Sequence, residues 1–242
     1  MAARYGLIGY PLQHSFSPAY FAAKFEKEGI DAVYTAYPLD GISKFPQLLH
    51  ENPLLGLNVT IPYKQAVIAY LDELDAAAKA IGAVNCIDIR DGVSKGYNTD
   101  VKGFKDSLVP LLQSHHTKAL VLGTGGASLA VRYVLDELGI VYTSVSRDKK
   151  EGVVCYEELT GDMVSGHKLI VNTTPLGMGS YMDEHPAIQY EAIGQEHLLY
   201  DLIYNPEETI FLQKGKAQGA AIKNGLEMLH LQAEASWDIW NR

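Results

Sequence analysis

Residues 123–128 read Gly-Thr-Gly-Gly-Ala-Ser, a G-x-G-x-x-S pattern. Glycines at that spacing let main-chain N–H groups and a helix N-terminus approach a pyrophosphate. Ser128 stands where a third glycine would be; it is still small enough for a helix to pack closely on a strand. Lys64 and Asp100 are a second candidate pair. Lys64 lies just past an expected strand end, where α/β sheets bind ligands. Its ordinary reading is a solvated lysine in a helix first turn. Asp100 follows Gly96-Tyr97-Asn98-Thr99 and could simply open a helix, where an acid favours the dipole. Ser15 and Ser17 are a third pair. Two hydroxyls beside a helix N-terminus could hold a carboxylate. Ser17 also reads as a helix N-cap, with Pro18 at the first helical position and Phe16 and Phe21 at the spacing of a hydrophobic staple.

Two further signals come later in the chain. Ser146-Arg147-Asp148-Lys149-Lys150 follows an expected strand at 140–145. An arginine there pairs with a ribose 2′-phosphate, and an acid accepts a 2′-OH. Arg147 comes first, which favours NADP over NAD; Asp148 would suit an unphosphorylated ribose. The ordinary reading is a polar surface turn. Gln232 falls four residues after Met228, on the same helical face. In that apolar stripe it is either a satisfied buried amide or a ligand contact.

These residues need a framework, and the hydrophobic pattern supplies one. Strands are expected at 5–10, 32–37, 55–59, 84–89 and 93–97, the last two joined by the Asp91-Gly92 turn. Helices are expected at 17–28, 42–50, 65–71 and 75–81. An amphipathic helix at 101–113 leads into the apolar run 119–122, the glycine loop and a helix ended by Gly139. Strands at 169–172, 198–204 and 220–222, and helices at 207–218 and from 226 to about 240, complete the series. Strands alternating with helices indicate an α/β layer.

Composition narrows the function. The chain has 242 residues, 47% hydrophobic and 20% charged, with 20 Lys+Arg against 29 Asp+Glu and a net charge of −9. That is a soluble globular balance, and it argues against a nucleic-acid or anionic-membrane surface. Two cysteines fit a reduced, cytoplasmic setting. No metal-ligand spacing, signal core, membrane-spanning run, repeat or self-pairing seam is apparent in the sequence.

Taken in order, the motifs resemble the shikimate dehydrogenase family, including its quinate/shikimate branch. They are Ile8-Gly9-Tyr10-Pro11 with His14-Ser15-Phe16-Ser17-Pro18, Asn58-Val59-Thr60-Ile61-Pro62-Tyr63-Lys64, Gly82-Ala83-Val84-Asn85, Gly96-Tyr97-Asn98-Thr99-Asp100 and the glycine loop. Asn172-Thr173-Thr174-Pro175-Leu176-Gly177-Met178, Asp201-Leu202-Ile203-Tyr204-Asn205-Pro206 and Gly225-Leu226-Glu227-Met228-Leu229 with Gln232 follow.

The resemblance implies a two-domain α/β fold with a cleft between an N-terminal substrate domain and a Rossmann-like dinucleotide domain. The first would span 1–100, completed by the C-terminal helix 226–242; the second would span 101–225. It implies reversible NADPH-dependent reduction of 3-dehydroshikimate to shikimate, a step toward chorismate and the aromatic amino acids. Lys64 and Asp100 would be the catalytic pair, Lys64 as acid/base and Asp100 as orienting partner. Ser15 and Ser17 would bind the substrate carboxylate. Thr60, Asn85, Asp100 and Gln232 would hold its hydroxyls, with Tyr204 also at the site. Gly123, Thr124, Gly125, Gly126, Ala127, Ser146, Arg147, Leu202 and Gly225 would bind the cofactor, and no metal is implied. Where the family commonly has Asn-Arg-Thr, this chain has Ser146-Arg147-Asp148. The chain is also somewhat short for the family, so trimmed loops are expected around 151–159. Two rival readings are an NAD-dependent quinate/shikimate dehydrogenase and a non-catalytic relative that binds ligand and nucleotide. A monomer or homodimer acting on a small molecule is expected.

Overall fold

The computed structural model describes residues 2–13 and 15–242. His14, part of the first motif, lies outside the described residues. The chain forms two compact units, Met1–Asp100 with Gln232–Arg242, and Val101–Leu231.

In the first unit the strands are β1 (Ala3–Gly9), β2 (Ala32–Pro38), β3 (Gly56–Val59), β4 (Glu73–Leu74), β5 (Cys86–Arg90) and β6 (Val93–Tyr97). They form a sheet in the order β2-β1-β3-β5-β6-β4. β1 runs parallel to β2 and β3; β5 is antiparallel to β3 and β6. Asp91 and Gly92 take φ of 51° and 80° at the β5–β6 turn, as a tight hairpin requires. Helices α1 (Phe16–Glu28), α2 (Phe45–Glu51) and α3 (Ala76–Ile81) are interleaved with the strands, and α4 (Asp100–Leu108) follows β6 and belongs from Val101 on to the second unit.

Two of these helices differ from expectation. α1 begins two residues earlier, so its N-cap is Ser15 (φ −73°, ψ 134°) and not Ser17. Pro18 then sits in the first turn, where its missing N–H had no intrahelical partner to lose. Phe16, which the expected cap would have set against Phe21, stacks on Tyr20, with ring centroids 5.0 Å apart. The helix expected to reach residue 113 stops at Leu108 and continues as a 3-10 turn, Val109–Leu111. Pro110 cannot donate to an α-helical ladder, which accounts for the early stop.

In the second unit the strands are β7 (Lys118–Leu122), β8 (Val141–Ser146), β9 (Val153–Cys155), β10 (Leu169–Asn172), β11 (Leu198–Asp201) and β12 (Ala221–Lys223). The order β12-β11-β10-β7-β8-β9 is parallel throughout. This is the doubly wound arrangement, with its order reversing between β7 and β10. Residues 119–122 are apolar without alternation because both sheet faces are covered. Leu120 and Leu122 pack into one core with Ile170 and Leu199, and Ala119 and Val121 into the other with Val171 and Tyr200. The helices are α5 (Gly126–Glu137), α6 (Gly161–Gly166), α7 (Ile210–Ala217) and α8 (Leu226–Trp240). β9 and α6 arise where no element was expected, because three- and six-residue segments carry too little periodicity to read. The units divide inside α8, between Leu231 and Gln232, six residues past the helix start expected as the boundary.

Candidate active site

In the first unit, β3 ends at Val59 and its chain turns immediately. Thr60 N–H donates to Ile8 O at 2.9 Å, Tyr63 N–H to Thr60 O at 2.9 Å, and the buried Tyr63 hydroxyl to Leu39 O at 2.6 Å. This anchored turn delivers Lys64. Its ammonium donates to Asp100 Oδ2 at 2.7 Å, with the two side chains 21% and 14% exposed. Among the described residues Asp100 is the one hydrogen-bond partner recorded for that ammonium, which carries three donors. Asp100 opens α4, so the first-turn position expected for an acid is filled by a residue that also holds a cation.

Asn85 fixes the carboxylate from its other side. Its Nδ2 donates to Asp100 Oδ1 and to Thr99 Oγ1, both at 3.0 Å, and its Oδ1 accepts Thr99 N–H at 2.6 Å. That pattern sets which way the amide points. Lys64, Asp100 and Asn85, from three separate segments, thus form one cluster, with Thr60 in the turn that carries Lys64. A cation at such a position can stabilise negative charge building on a ketone oxygen and deliver a proton to it.

Ser15 makes no side-chain cap bond, so its hydroxyl is not committed to the helix it starts. Ser17 lies in the first turn of α1. Burial holds the Tyr34 hydroxyl well above the ordinary tyrosine range, with Ser17 opposing. Tyr34 in turn donates to Asn58 Oδ1 at 2.8 Å. Gln232 lies on α8, 9% exposed. Tyr204 belongs to the second unit, just past β11, where burial raises its hydroxyl above the ordinary value. Sequence reading gave no role to Tyr34, Asn58, Thr99 or Ser236. A polar Asn58 inside the wholly buried strand Gly56–Val59 was the available signal.

The second unit carries the glycine loop. Gly123 has φ of 106°, and a Cβ there would lie 2.7 Å from Thr173 Oγ1, so only glycine fits. Gly125 is the N-cap of α5 with no side-chain cap bond. A Cβ on Gly125 or Gly126 would meet nothing within 4 Å. These two glycines therefore leave open space over the helix N-terminus. Ser128 is fully buried and donates to Gly125 O at 2.7 Å, filling the packing role of the third glycine.

A pocket of about 260 Å³ adjoins the loop, lined among others by Gly123, Thr124, Gly125, Ser146, Arg147 and Asp148. Asp148 N–H donates to Ser146 Oγ at 3.3 Å, while Arg147 and Asp148 both stay exposed. Lys150 Nζ donates to Thr124 Oγ1 at 3.2 Å, bringing a further cation to the loop. Unused main-chain donors, hydroxyls and two cations fit an anionic dinucleotide. Tyr156 also lines the pocket; burial pushes its phenol up to about 12, with the Arg147 charge opposing. Leu202 and Gly225 meet directly: Gly225 N–H donates to Ile203 O at 3.0 Å, and any Cβ on Gly225 would strike Leu202 O.

Asp201 is fully buried at the end of β11. Burial pushes its carboxyl up to about 6, although Thr209 Oγ1 (2.6 Å), Ile203 N–H (3.0 Å) and Asn172 Nδ2 (3.1 Å) all donate to it. Among the described residues, no group of three or more His, Cys, Asp or Glu is placed to hold a metal ion. Among the described residues, no helix is long and apolar enough to cross a membrane.

A doubly wound sheet with a glycine loop, joined to an α/β unit carrying a half-buried lysine–carboxylate pair, defines a two-domain dinucleotide-dependent oxidoreductase. The shikimate dehydrogenase substrate binding domain family matches residues 7–87. A shikimate dehydrogenase (NADP(+)) of Caldanaerobacter subterraneus is 37% identical over 260 residues, spanning 98% of this chain and 90% of the relative. The Thermus thermophilus shikimate 5-dehydrogenase, solved with NADP(H) and shikimate, superposes with a TM-score of 0.87 at 31% identity, covering 98% of this chain and 93% of that one. Quinate dehydrogenase of Corynebacterium glutamicum, solved with NAD, gives 0.88 at 28% identity, covering 99% and 93%. The chain belongs to the shikimate dehydrogenase family.

Proposed function

We propose that this protein catalyses the reversible NADPH-dependent reduction of 3-dehydroshikimate to shikimate, in the cytoplasmic route to chorismate and the aromatic amino acids. The observation that carries the reading is the Lys64–Asp100–Asn85 cluster, 2.7 and 3.0 Å along its links. Bound NADPH would supply a hydride to the ketone carbon. Charge then grows on the ketone oxygen, where the Lys64 ammonium stabilises it and hands over a proton. Asp100 holds the ammonium in place and accepts from a ring hydroxyl, with its own geometry set by Asn85. Ser15 and Ser17 take the substrate carboxylate, their hydroxyls sitting at and just inside the N-terminus of α1. Thr60 and Gln232 hold the remaining hydroxyls. In this reading residues 1–100 with the C-terminal helix bind substrate, and 101–225 bind the nucleotide. Gly123, Thr124, Gly125, Gly126 and Ala127 hold the pyrophosphate, Ser146 and Arg147 the 2′-phosphate ribose, and Leu202 and Gly225 the nicotinamide end.

A second reading rests on Asp148, which lines the same pocket as Arg147 and suits a free 2′-OH. It would make the enzyme an NAD-dependent quinate/shikimate dehydrogenase. Steady-state assays on shikimate and quinate, each with NADP and NAD, separate the two. The highest kcat/KM is expected for shikimate with NADP; a preference for quinate with NAD overturns the proposal. Binding of both ligands without turnover identifies a non-catalytic relative.

A further inference from the structure

The polar groups beneath the Lys64–Asp100 pair form one continuous chain of buried hydrogen bonds. Asn58, Asn85, Thr99 and Ser236 are 5%, 3%, 3% and 0% exposed. Asn58 Nδ2 donates to Ser236 Oγ at 2.9 Å and to Asn85 O at 3.2 Å, while its Oδ1 accepts from Tyr34. Ser236 Oγ donates to Gln232 O at 3.0 Å and lies 3.2 Å from Thr99 Oγ1. Thr99 Oγ1 accepts from Asn85 Nδ2.

The donors and acceptors admit a consistent direction. The two hydrogens of Asn85 Nδ2 go to Asp100 and Thr99. The Thr99 hydroxyl passes its hydrogen to Ser236 Oγ, and Ser236 passes its own to Gln232 O. Both hydrogens of Asn58 are used as well. In a dry environment such a network resists any rearrangement that strands one member. It joins the helix carrying Gln232, the strand leading to Thr60 and Lys64, the Asn85–Asp100 pair and Tyr34 of β2.

Resting on the functional reading above, we infer that Ser236 is a positioning residue for substrate recognition. With Asn58 and Thr99 it sets the depth and register at which α8 presents Gln232 to the shikimate ring, and it braces the Asn85 amide against Asp100. Ser236 itself touches neither substrate nor the reacting atoms.

The test is Ser236→Ala, which removes one hydroxyl from a helix at a site where alanine is the better helix former. KM for shikimate should rise and kcat fall, together lowering kcat/KM by about 3- to 10-fold, the scale of one neutral hydrogen bond. KM for NADP should stay unchanged. Ser236→Cys, which keeps a weak S–H in place, should fall between the two. Thr99→Val breaks the same bridge from the turn between β6 and α4, so the double variant should be less impaired than the product of the single effects. Unchanged shikimate kinetics in Ser236→Ala overturns the inference. A loss shared equally by shikimate and NADP and tracking the melting temperature does so too, as does strict multiplicativity with Thr99→Val. Absence of turnover in the wild-type protein overturns the functional reading, and this inference with it.

Discussion

At Lys64 and Asp100 the working groups are side chains, each held by another side chain. Along Gly123–Ala127 they are main-chain N–H groups, left open by residues that have little or no side chain. The first region is a dry network in which Asn58, Asn85, Thr99 and Ser236 have matched donors and acceptors. The second is rimmed by exposed charges, Arg147, Asp148 and Lys150. The contrast fits what the proposed function asks of each region. Proton transfer depends on geometry at the scale of a fraction of an ångström, which needs locked rotamers. Holding a dinucleotide depends on electrostatic fit over a larger area, where a fixed backbone and mobile cations suffice.

Lys64→Ala is the severest way to probe that contrast. It should lower kcat by roughly 10²–10⁴, the usual range for a general acid or base, with a smaller change in KM for shikimate. Near wild-type turnover would remove Lys64 from the chemistry and leave the network without a catalytic purpose.

Two carboxylates give a sharper comparison. Asp100 lies against an ammonium, whereas Asp201 is buried among neutral donors, and its carboxyl stands at about 6. The fold therefore favours protonated Asp201. As pH rises from about 4 to about 6, the unfolded chain releases that proton before the folded one does, so stability falls across this window and levels off above it. Asp201→Asn cannot titrate. Its stability relative to the wild type should rise over the same window by on the order of 2 kcal/mol, as read by urea denaturation at a series of pH values. A difference that is flat from pH 4 to 7 would show that burial does not burden this carboxylate.

Arg147→Ala addresses the open region and should have the smallest effect. Removing a partner of the 2′-phosphate should raise KM for NADPH by about 10-fold, the low end for a hydrogen bond to a charged group, and change KM for NADH little. Equal changes for both cofactors would mean that Arg147 does not read the phosphate, and would shift attention to Asp148.

The open region was the more legible in sequence. Its signals are local: Gly123 needs a positive φ, Gly139 ends a helix, and both fall within one strand-loop-helix stretch. The closed region was legible only through its resemblance to a family, because its links join residues far apart. Asn58 meets Ser236 178 positions away, and no periodicity encodes such a pair. Local rules also misled at α1. Ser17-Pro18 has the look of a cap, but Ser15 takes that position. Pro110 was a readable stop signal inside a pattern that otherwise continued. β4, β9 and α6 were too short to show a period.

The seat of Trp240 has a consequence for how the protein is made. Trp240 packs against the bare Cα of Gly56 and donates to Ile87 O at 2.9 Å, within the cluster that includes Tyr5, Phe21 and Cys86. The unit whose first strand leaves the ribosome earliest therefore cannot be finished until residues 232–242 have been synthesised. The intervening unit is complete before then. At cellular translation rates the interval is on the order of ten seconds. Throughout it the aromatic face around Tyr5 and Phe21 lacks the Trp237 and Trp240 rings that pack on it in the folded chain.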